Sequence, residues 1–248
     1  MPDDHSFAAD LATSAGQVLL NTRSEVVASG TAGGKALAKM GDATAQEHIA
    51  ARLAAERPDD AVLSEEAADD PVRLSRERVW IIDPLDGTRE YSEDRHDWAV
   101  HVALWECGAL TAGAVALPGL NATLSTAGPF SGLGAPAEPV RLAVSRSRAS
   151  DLVLTVAERI GAELVPMGSA GYKVSAVVRG EVDAYIHSGG QYEWDSAAPV
   201  AVAAAAGLHT SRIDGSSLEY NRKDPYLPDL LVCGPRLADK LLRVLASI

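Results

Sequence analysis

Residues 79–88 read Val-Trp-Ile-Ile-Asp-Pro-Leu-Asp-Gly-Thr, a short apolar strand followed by two carboxylates three positions apart. We expect the strand to end at Asp83. Pro84 stiffens the turn that follows and Gly87 relaxes it, so the side chains of Asp83 and Asp86 can converge on one point. Hard divalent cations such as Mg²⁺ bind oxygen clusters of this kind. A simple capped turn is the alternative, because Asp, Pro and Gly are common turn residues.

The composition of the 248-residue chain is that of a globular protein, with 47% hydrophobic and 23% charged residues. It excludes a disordered tail protein, a collagen-like repeat and a small disulfide-stapled scaffold. The 22 Lys and Arg against 34 Asp and Glu give a formal charge of −12. This acidity disfavours a nucleic acid polymer as a partner. A phosphorylated ligand would therefore need positive charge from a source other than basic side chains.

The chain carries few signs of export or of a membrane. Its two cysteines, Cys107 and Cys233, lack the spacing of a metal or redox motif. We therefore expect them to be ordinary reduced thiols. Residues 1–5 lack the basic start and apolar core of a signal peptide. The longest apolar stretch, 197–208, is too short to span a bilayer and contains a proline and a glycine. We therefore expect a cytoplasmic protein without a membrane partner.

Hydrophobic periodicity predicts two helices in the first half of the chain. One covers 7–20, and the other runs from an N-cap at Asp42 to about Arg57. The glycine-rich segment Gly30–Gly34 separates them, and its role is left open. Strand-like runs follow at 61–63, 79–82, 98–105 and 110–117, the last two forming a hairpin.

Prolines between positions 128 and 139 predict a boundary near residue 138, with subdomains over 1–138 and 139–248. Beyond the boundary, strands alternate with helices. The predicted strands cover 141–144, 163–165 and 182–186, and the predicted helices cover 149–160, 169–179 and 195–206. This alternation indicates an α/β fold class.

Three further segments carry residues suited to the same chemistry. Glu65 and Glu66 follow the strand at 61–63 as adjacent carboxylates, either a solvated acidic loop or a pair facing a cation. Asp195 opens an apolar helix, where it is either a cap or a ligand. Residues 168–171, Gly-Ser-Ala-Gly, precede another helix, whose first N–H groups can hold an anion; glycines that only permit a turn are the alternative. Together the segments suggest a carboxylate-bound Mg²⁺ site that faces a phosphate.

These segments match a known pattern in order and spacing. Glu65-Glu66, the run Trp80–Thr88 and the run Trp194–Ala197 correspond to a Glu-Glu pair, W-[IV]-I-D-P-[IL]-D-G-T and W-D-x-A. The chain thus resembles the inositol monophosphatase superfamily of lithium-sensitive, Mg²⁺-dependent phosphatases, from Asp42 to about Tyr226. The resemblance implies a layered α-β-α-β-α sandwich of two coupled subdomains, phosphoric monoester hydrolase activity and, as a possibility, a homodimer.

The resemblance also implies roles for individual residues. The residues that would hold two or three Mg²⁺ ions are Glu65, Asp83, Leu85 through its carbonyl, Asp86 and Asp195. Asp42 and Thr88 would orient the attacking water, and Glu65 belongs to the same catalytic set. The implied substrate-binding residues are Asp86, Gly87, Thr88, Gly168, Ser169, Lys173, His187 and Asp195.

Within the superfamily, the sequence looks most like the 3′-phosphoadenosine 5′-phosphate phosphatases of the bacterial CysQ type. Residues 61–66 and the Gly-Ser-Ala-Gly-Tyr-Lys run at 168–173 carry this similarity. Lys173 would contact the second phosphate of the substrate, and a solvated surface lysine is the alternative. Ala170 and His187 depart from the patterns of the CysQ and inositol branches respectively, which leaves substrate identity open.

The expected function is Mg²⁺-dependent hydrolysis of the 3′-phosphate of 3′-phosphoadenosine 5′-phosphate, a small phosphonucleotide, in sulfate assimilation. Phosphoadenosine phosphosulfate is the expected second substrate. Inositol monophosphate and fructose-1,6-bisphosphate are alternative substrates of the same superfamily. A non-catalytic phosphonucleotide-binding protein on the same fold is an alternative from another class, and it would be expected to lack one of the carboxylates or Thr88.

Overall fold

The structure, a computed structural model, describes residues 3–30, 33–130, 134–147 and 149–248. The α-helices in these ranges are α1 (Asp4–Ser29), α2 (Lys35–Glu56), α3 (Thr88–Ser92), α4 (Asp151–Ile160), α5 (Ala170–Val178), α6 (Glu193–Ala205) and α7 (Pro235–Leu245). The strands are β1 (Ala61–Ser64), β2 (Arg78–Asp86), β3 (Ala99–Glu106), β4 (Ala109–Leu117), β5 (Ala122–Ser125), β6 (Arg141–Ser145), β7 (Glu163–Met167), β8 (Ala184–Tyr192), β9 (His209–Ser211) and β10 (Tyr226–Cys233). Short 3₁₀ helices cover Pro71–Ser75 and Pro118–Leu120.

The strands form two five-stranded sheets. The first has the order β1-β2-β3-β4-β5 and is antiparallel except for the parallel pair β1 and β2. The second has the order β7-β6-β8-β10-β9, with parallel pairing of β6 to both of its neighbours. Strands of the first sheet lie between residues 61 and 125, and those of the second between 141 and 233.

Three apolar cores lie between the layers. Helices α1 and α2 pack on one face of the first sheet, and α5 and α6 fill the space between the two sheets. Helices α4 and α7 cover the outer face of the second sheet. This α-β-α-β-α order confirms the layered α/β fold that the sequence predicts.

Strand β2 shows why its sequence is apolar at successive positions. Val79 and Ile81 enter the core between the sheets, whereas Trp80 and Ile82 enter the core under α1 and α2. Successive side chains of a strand point to opposite faces, so a strand buried on both faces lacks polar alternation. Because both faces are covered, the carboxylates that end this strand are also held deep in the protein.

Two predicted boundaries are wrong in an informative way. Helix α2 begins at Lys35, and Asp42 lies inside it rather than at its N-cap. The run Ala36–Met40 consists of good helix formers, which extend the helix backwards. Strand β2 does not end at Asp83 but continues to Asp86 through a register shift, in which Asp83 pairs with His101 and Asp86 with Ala99. The carboxylates therefore converge across a β-bulge, which also accommodates the proline, rather than a turn.

Other expectations hold or stay open. The remaining predicted helices and strands are confirmed, with α1 and β8 longer than expected. The sequence did not predict the elements α3, β5, β9, β10 and α7. The boundary near residue 138 stays a prediction. Positions 31 and 32 of the Gly30–Gly34 segment, and 131–133 beside the boundary, lie outside the described residues.

None of the helices in the described ranges has both the length and the apolar character that a membrane span needs. Both cysteines are free thiols.

Close packing of α6 on the first sheet depends on Gly113 in β4. A Cβ atom at this position would lie 2.9 Å from the Cβ of Ala201 in α6, closer than carbon atoms pack. We expect Gly113→Ala to lower the free energy of unfolding by about 1–3 kcal/mol, the usual cost of overpacking a core. Urea unfolding measures this loss.

Gly33→Ala is the matched control, because a Cβ at Gly33 meets nothing within 4 Å. We expect it to change the free energy of unfolding by less than about 0.5 kcal/mol. Equal unfolding free energies for the two variants would contradict the close approach of α6 to β4.

Candidate active site

A cavity of about 470 Å³ opens where the ends of β1, β2 and β8 meet the starts of α3, α5 and α6. The predicted site residues that line it are Glu65, Asp83, Leu85, Asp86, Gly87, Thr88, Gly168, Ser169, Lys173, His187 and Asp195. Asp42 lies behind this lining, with Oδ1 3.5 Å from the Thr88 hydroxyl. The fold therefore brings all the predicted site residues together, although they are spread over more than 150 positions of the sequence.

Asp83 is the most deeply buried carboxylate of the site, with 1% of its surface exposed. Its Oδ1 accepts a hydrogen bond from the backbone N–H of Leu85 at 3.0 Å. Burial, followed by the charges of Glu65, Asp86 and Asp195, raises its pKa well above the ordinary value. A carboxylate in this position is stabilised by any cation that enters the cavity.

Glu65 and Asp195 approach Asp83 from other elements. Glu65 follows β1 and keeps a solvent-exposed edge, but protein atoms crowd its carboxylate, and this desolvation together with the charge of Asp195 raises its pKa to about 7. Asp195 lies in the first turn of α6, where Oδ2 accepts a hydrogen bond from Tyr192 N at 2.7 Å. Burial and the charge of Asp86 raise the pKa of Asp195 to about 6. The carboxylates thus oppose one another's ionisation.

Asp86 differs from its neighbours because two hydrogen-bond donors and the nearby His101 ring act on it together. Its Oδ2 accepts hydrogen bonds from Ser169 Oγ at 2.5 Å and from Gly171 N at 2.6 Å. Burial alone would raise its pKa, but the interaction with His101 and these hydrogen bonds lower it to about 2. The N–H group at the start of α5, predicted to be available to an anion, therefore already holds a carboxylate of the chain itself.

His101 is a site residue that the sequence did not reveal. Its Nδ1 lies 3.0 Å from the carbonyl oxygen of Trp194, and its Nε2 lies 3.3 Å from Asp86 Oδ2. Burial alone would lower the pKa of His101, but Asp86 raises it. A Cβ at Gly171 would lie 1.9 Å from Nε2, so this position requires glycine. The available signal was a histidine within the otherwise apolar run 98–105, and the structure pairs this histidine across the sheet with Asp83.

Thr88 lines the cavity, and Asp42 lies behind it. The Thr88 hydroxyl is 3.1 Å from the carbonyl oxygen of Leu85 and 3.5 Å from Asp42 Oδ1. Burial and the charge of Glu66 raise the pKa of Asp42 to about 6, although the hydrogen bond from Thr88 acts in the opposite direction. A hydroxyl with a carboxylate partner behind it can hold a water molecule at the cavity surface.

Lys173 is buried, with 5% of its surface exposed, so the interpretation as a solvated surface lysine is wrong. Its Nζ donates to the carbonyl oxygens of Gly168 at 3.1 Å and Ser169 at 2.5 Å, and lies 5.2 Å from the centre of the Tyr185 ring. Burial lowers its pKa to about 8. The ammonium group has three hydrogens, so one remains for the cavity that Lys173 lines.

A buried network ties the start of α6 to the loop that follows Glu65. Glu193 is fully buried and accepts hydrogen bonds from the backbone N–H groups of Asn221 at 2.6 Å and Arg222 at 2.8 Å. Arg73 binds Asn221 Oδ1 at 2.7 Å and the carbonyl oxygen of Arg222 at 2.9 Å. The same guanidinium is paired with Asp69. The network thus holds the segment that carries Asp195 against the segment that follows Glu65.

The donor set of the cavity fits Mg²⁺. Glu65, Asp83 and Asp195 offer hard carboxylate oxygens, and their mutual repulsion is relieved by a divalent cation placed among them. One oxygen each of Asp83 and Asp86 and one nitrogen of His101 lie within 4.8 Å of one another. Because His101 Nδ1 faces a carbonyl oxygen at 3.0 Å and Nε2 lies 3.3 Å from Asp86 Oδ2 without a hydrogen bond, we interpret His101 as an electrostatic partner of Asp86 rather than as a metal ligand.

Comparison with known proteins identifies the family of the chain. The family model described as the inositol monophosphatase family matches residues 3–248. The chain is 49% identical to a 3′-phosphoadenosine 5′-phosphate phosphatase of Mycobacterium leprae, over 99% of this chain and 94% of the relative. It is 32% identical to the 3′(2′),5′-bisphosphate nucleotidase CysQ of Escherichia coli, over 68% of this chain and 74% of that protein.

A solved structure of CysQ from Bacteroides thetaiotaomicron superposes with a TM-score of 0.75 at 25% identity. The superposition covers 94% of this chain and 98% of that structure. The sequence similarity and the fold agree over nearly the whole length of the chain. The protein is a member of the inositol monophosphatase family.

Proposed function

We propose that this protein is a Mg²⁺-dependent phosphomonoesterase that removes the 3′-phosphate from 3′-phosphoadenosine 5′-phosphate. Phosphoadenosine phosphosulfate would be its second substrate, which connects it to sulfate assimilation. The observation that carries the proposal is the 49% identity, over nearly the whole length, to a phosphatase with this activity in its name. The carboxylate cluster supports the type of chemistry, and the cavity of about 470 Å³ is large enough for a nucleotide.

We propose that Glu65, Asp83, Asp86 and Asp195, with the carbonyl oxygen of Leu85, hold two or three Mg²⁺ ions. When bound, Mg²⁺ supplies the positive charge that receives phosphate oxygens and lowers the pKa of a bound water. This explains how a chain with a formal charge of −12 can act on a phosphorylated substrate. The acidic side chains of the site recruit the cation instead of contacting the phosphate.

Thr88 and Asp42 would orient the attacking water. Thr88 Oγ1 has one hydrogen, which it donates to Asp42 Oδ1 or to the Leu85 carbonyl oxygen. Its lone pairs then accept a hydrogen from the water and direct a water lone pair toward phosphorus. Glu65, at the exposed edge of the cluster, would belong to the same catalytic group.

The remaining predicted residues would bind the substrate. The backbone N–H groups of Gly87 and Thr88 would contact the phosphate that is removed. Gly87 has a φ of +89°, and a Cβ there would lie 3.1 Å from the Cβ of Trp98 and 3.2 Å from that of Ser169, so this turn requires glycine. Gly168, Ser169, Asp86 and Asp195 line the same cavity.

Lys173 and His187 remain proposed contacts of the nucleotide. Lys173 would use its remaining N–H toward the second phosphate, and its position in the cavity wall permits this contact. Inositol monophosphate and fructose-1,6-bisphosphate stay as alternative substrates, because the same metal chemistry serves all three. A protein that only binds the nucleotide would be expected to lack at least one of five residues, namely Glu65, Asp83, Asp86, Thr88 and Asp195. All five are present, which disfavours that alternative. A cytoplasmic location and a homodimer also stay predictions.

The substrate assignment predicts a strong preference among three phosphate esters. With Mg²⁺ present, kcat/KM for 3′-phosphoadenosine 5′-phosphate should exceed that for inositol-1-phosphate and fructose-1,6-bisphosphate by at least ~100-fold, about 2.7 kcal/mol. Phosphate release measured in parallel assays tests this. Comparable values for the three substrates would contradict the nucleotide assignment, and release from none of them would also contradict the proposed phosphatase chemistry.

The proposed water-orienting role predicts different effects of two substitutions at Thr88. Thr88→Val keeps the shape and removes the hydroxyl, so kcat should fall by roughly 100-fold or more while KM changes little. Thr88→Ser keeps the hydroxyl and should retain kcat within about 10-fold. Steady-state kinetics of the two variants measure both parameters. Equal kcat for the valine and serine variants would exclude a role of the hydroxyl in the reaction.

A further inference from the structure

Gln191 in β8 lines the cavity and is 4% exposed, yet its side-chain oxygen has no hydrogen-bond partner among the described residues. Its Nε2 lies 3.3 Å from the hydroxyl of Tyr185. The backbone of Gln191 is held in register opposite Leu227 of β10. A buried acceptor without a partner is costly to the folded protein. At a cavity wall, it indicates a ligand atom that completes the hydrogen bond.

The orientation of the Gln191 amide follows from its neighbours. His187 Nε2 lies 3.0 Å from the carbonyl oxygen of Gly189, and a carbonyl can only accept, so this nitrogen carries the hydrogen. Burial lowers the pKa of His187 to about 4, so the ring is neutral and Nδ1 is an acceptor.

Tyr185 connects His187 to Gln191. The Tyr185 hydroxyl lies 3.4 Å from His187 Nδ1 and donates its single hydrogen to that nitrogen. Its oxygen is therefore left to accept, and the Gln191 amide must turn its NH₂ group toward Tyr185. In this chain of hydrogen bonds, Gln191 donates to Tyr185 and Tyr185 donates to His187. The Gln191 Oε1 atom is therefore left as an acceptor.

We propose that Gln191 Oε1 determines specificity by accepting a hydrogen bond from the nucleoside part of the substrate. The donor is a sugar hydroxyl or the exocyclic amine of the base. This inference rests on the proposed nucleotidase function and names the residue that recognises the nucleoside. Because phosphate oxygens are themselves acceptors, the second phosphate does not occupy the position next to Gln191 Oε1.

Substrate analogues test the proposal on the unaltered protein. The wild-type enzyme is assayed with 3′-phosphoadenosine 5′-phosphate, with its 2′-deoxy analogue and with the hypoxanthine analogue, which lacks the amine. We expect one analogue to lose roughly 10- to 100-fold in kcat/KM, because it leaves the buried acceptor unpaired. Loss with the deoxy analogue identifies the hydroxyl as the donor, and loss with the hypoxanthine analogue identifies the amine.

The same assay on Gln191→Met separates this contact from other effects of the analogues. Methionine keeps the side-chain length without the acceptor. For Gln191→Met, kcat/KM for the analogue that wild type disfavours should therefore be within about 3-fold of kcat/KM for the full substrate. Tyr185→Phe keeps the ring but frees the Gln191 amide to rotate. It should reduce the ratio of kcat/KM for the full substrate to kcat/KM for the analogue at least ~3-fold. Gln17→Met, on the exposed face of α1, is the control and should discriminate like wild type.

The outcomes separate the two proposals. Two outcomes would show that Gln191 does not recognise the nucleoside. In the first, wild type hydrolyses the nucleotide and neither analogue loses kcat/KM. In the second, the loss of kcat/KM with the analogue is as large in both Gln191→Met and Tyr185→Phe as in wild type. The phosphatase assignment then stands without it. If wild type does not hydrolyse the nucleotide at all, the proposed function fails, and the inference about Gln191 fails with it.

Discussion

The rest of the structure is arranged around one constraint, which is that the fold holds several mutually repelling carboxylates together at the end of β2. Asp83 is almost fully buried, and the charges of Glu65, Asp86 and Asp195 all raise its pKa. Removing charged groups from water is unfavourable unless a counter-charge accompanies them. The protein provides two hydrogen bonds and the His101 ring to Asp86, whereas Asp83 and Asp195 each accept one backbone hydrogen bond. The site is therefore built to accept a cation, and the layers around it keep the carboxylates in place.

Much of the surrounding packing maintains this arrangement. Gly113 lets α6 approach the first sheet, which brings Asp195 to the cavity, and Gly171 makes room for His101 beside Asp86. The network of Arg73, Asn221 and Glu193 holds the start of α6. These residues touch neither metal nor substrate in the proposed mechanism. They determine the distances on which the chemistry of the site depends.

Most of the motifs could be located because they directly follow an apolar strand or open a helix. The alternation of strands and helices predicted the α/β class, and the family resemblance implied the layered arrangement and the members of the site. These features did not predict how the motifs are held. The bulge in β2 depends on pairing with β3, and the extension of α2 before Asp42 depends on a run of helix formers without a cap. His101 acquires its role from Trp194, which is distant in sequence, and Gln191 acquires its role from the burial of its side chain beside Tyr185. The burial of Lys173 similarly follows from tertiary packing rather than from its local sequence.

Divalent-cation binding tests the central claim most directly, and it needs no substrate. Calorimetric titration with Mn²⁺ or Mg²⁺ should show binding to the wild-type protein, and Asp83→Asn should weaken the first binding step by at least ~10-fold. The metal-free variant should be at least as stable as wild type, because the substitution removes a repelled charge. Asp239→Asn, at an exposed position of α7, should bind like wild type. Unchanged affinity in Asp83→Asn would contradict the account.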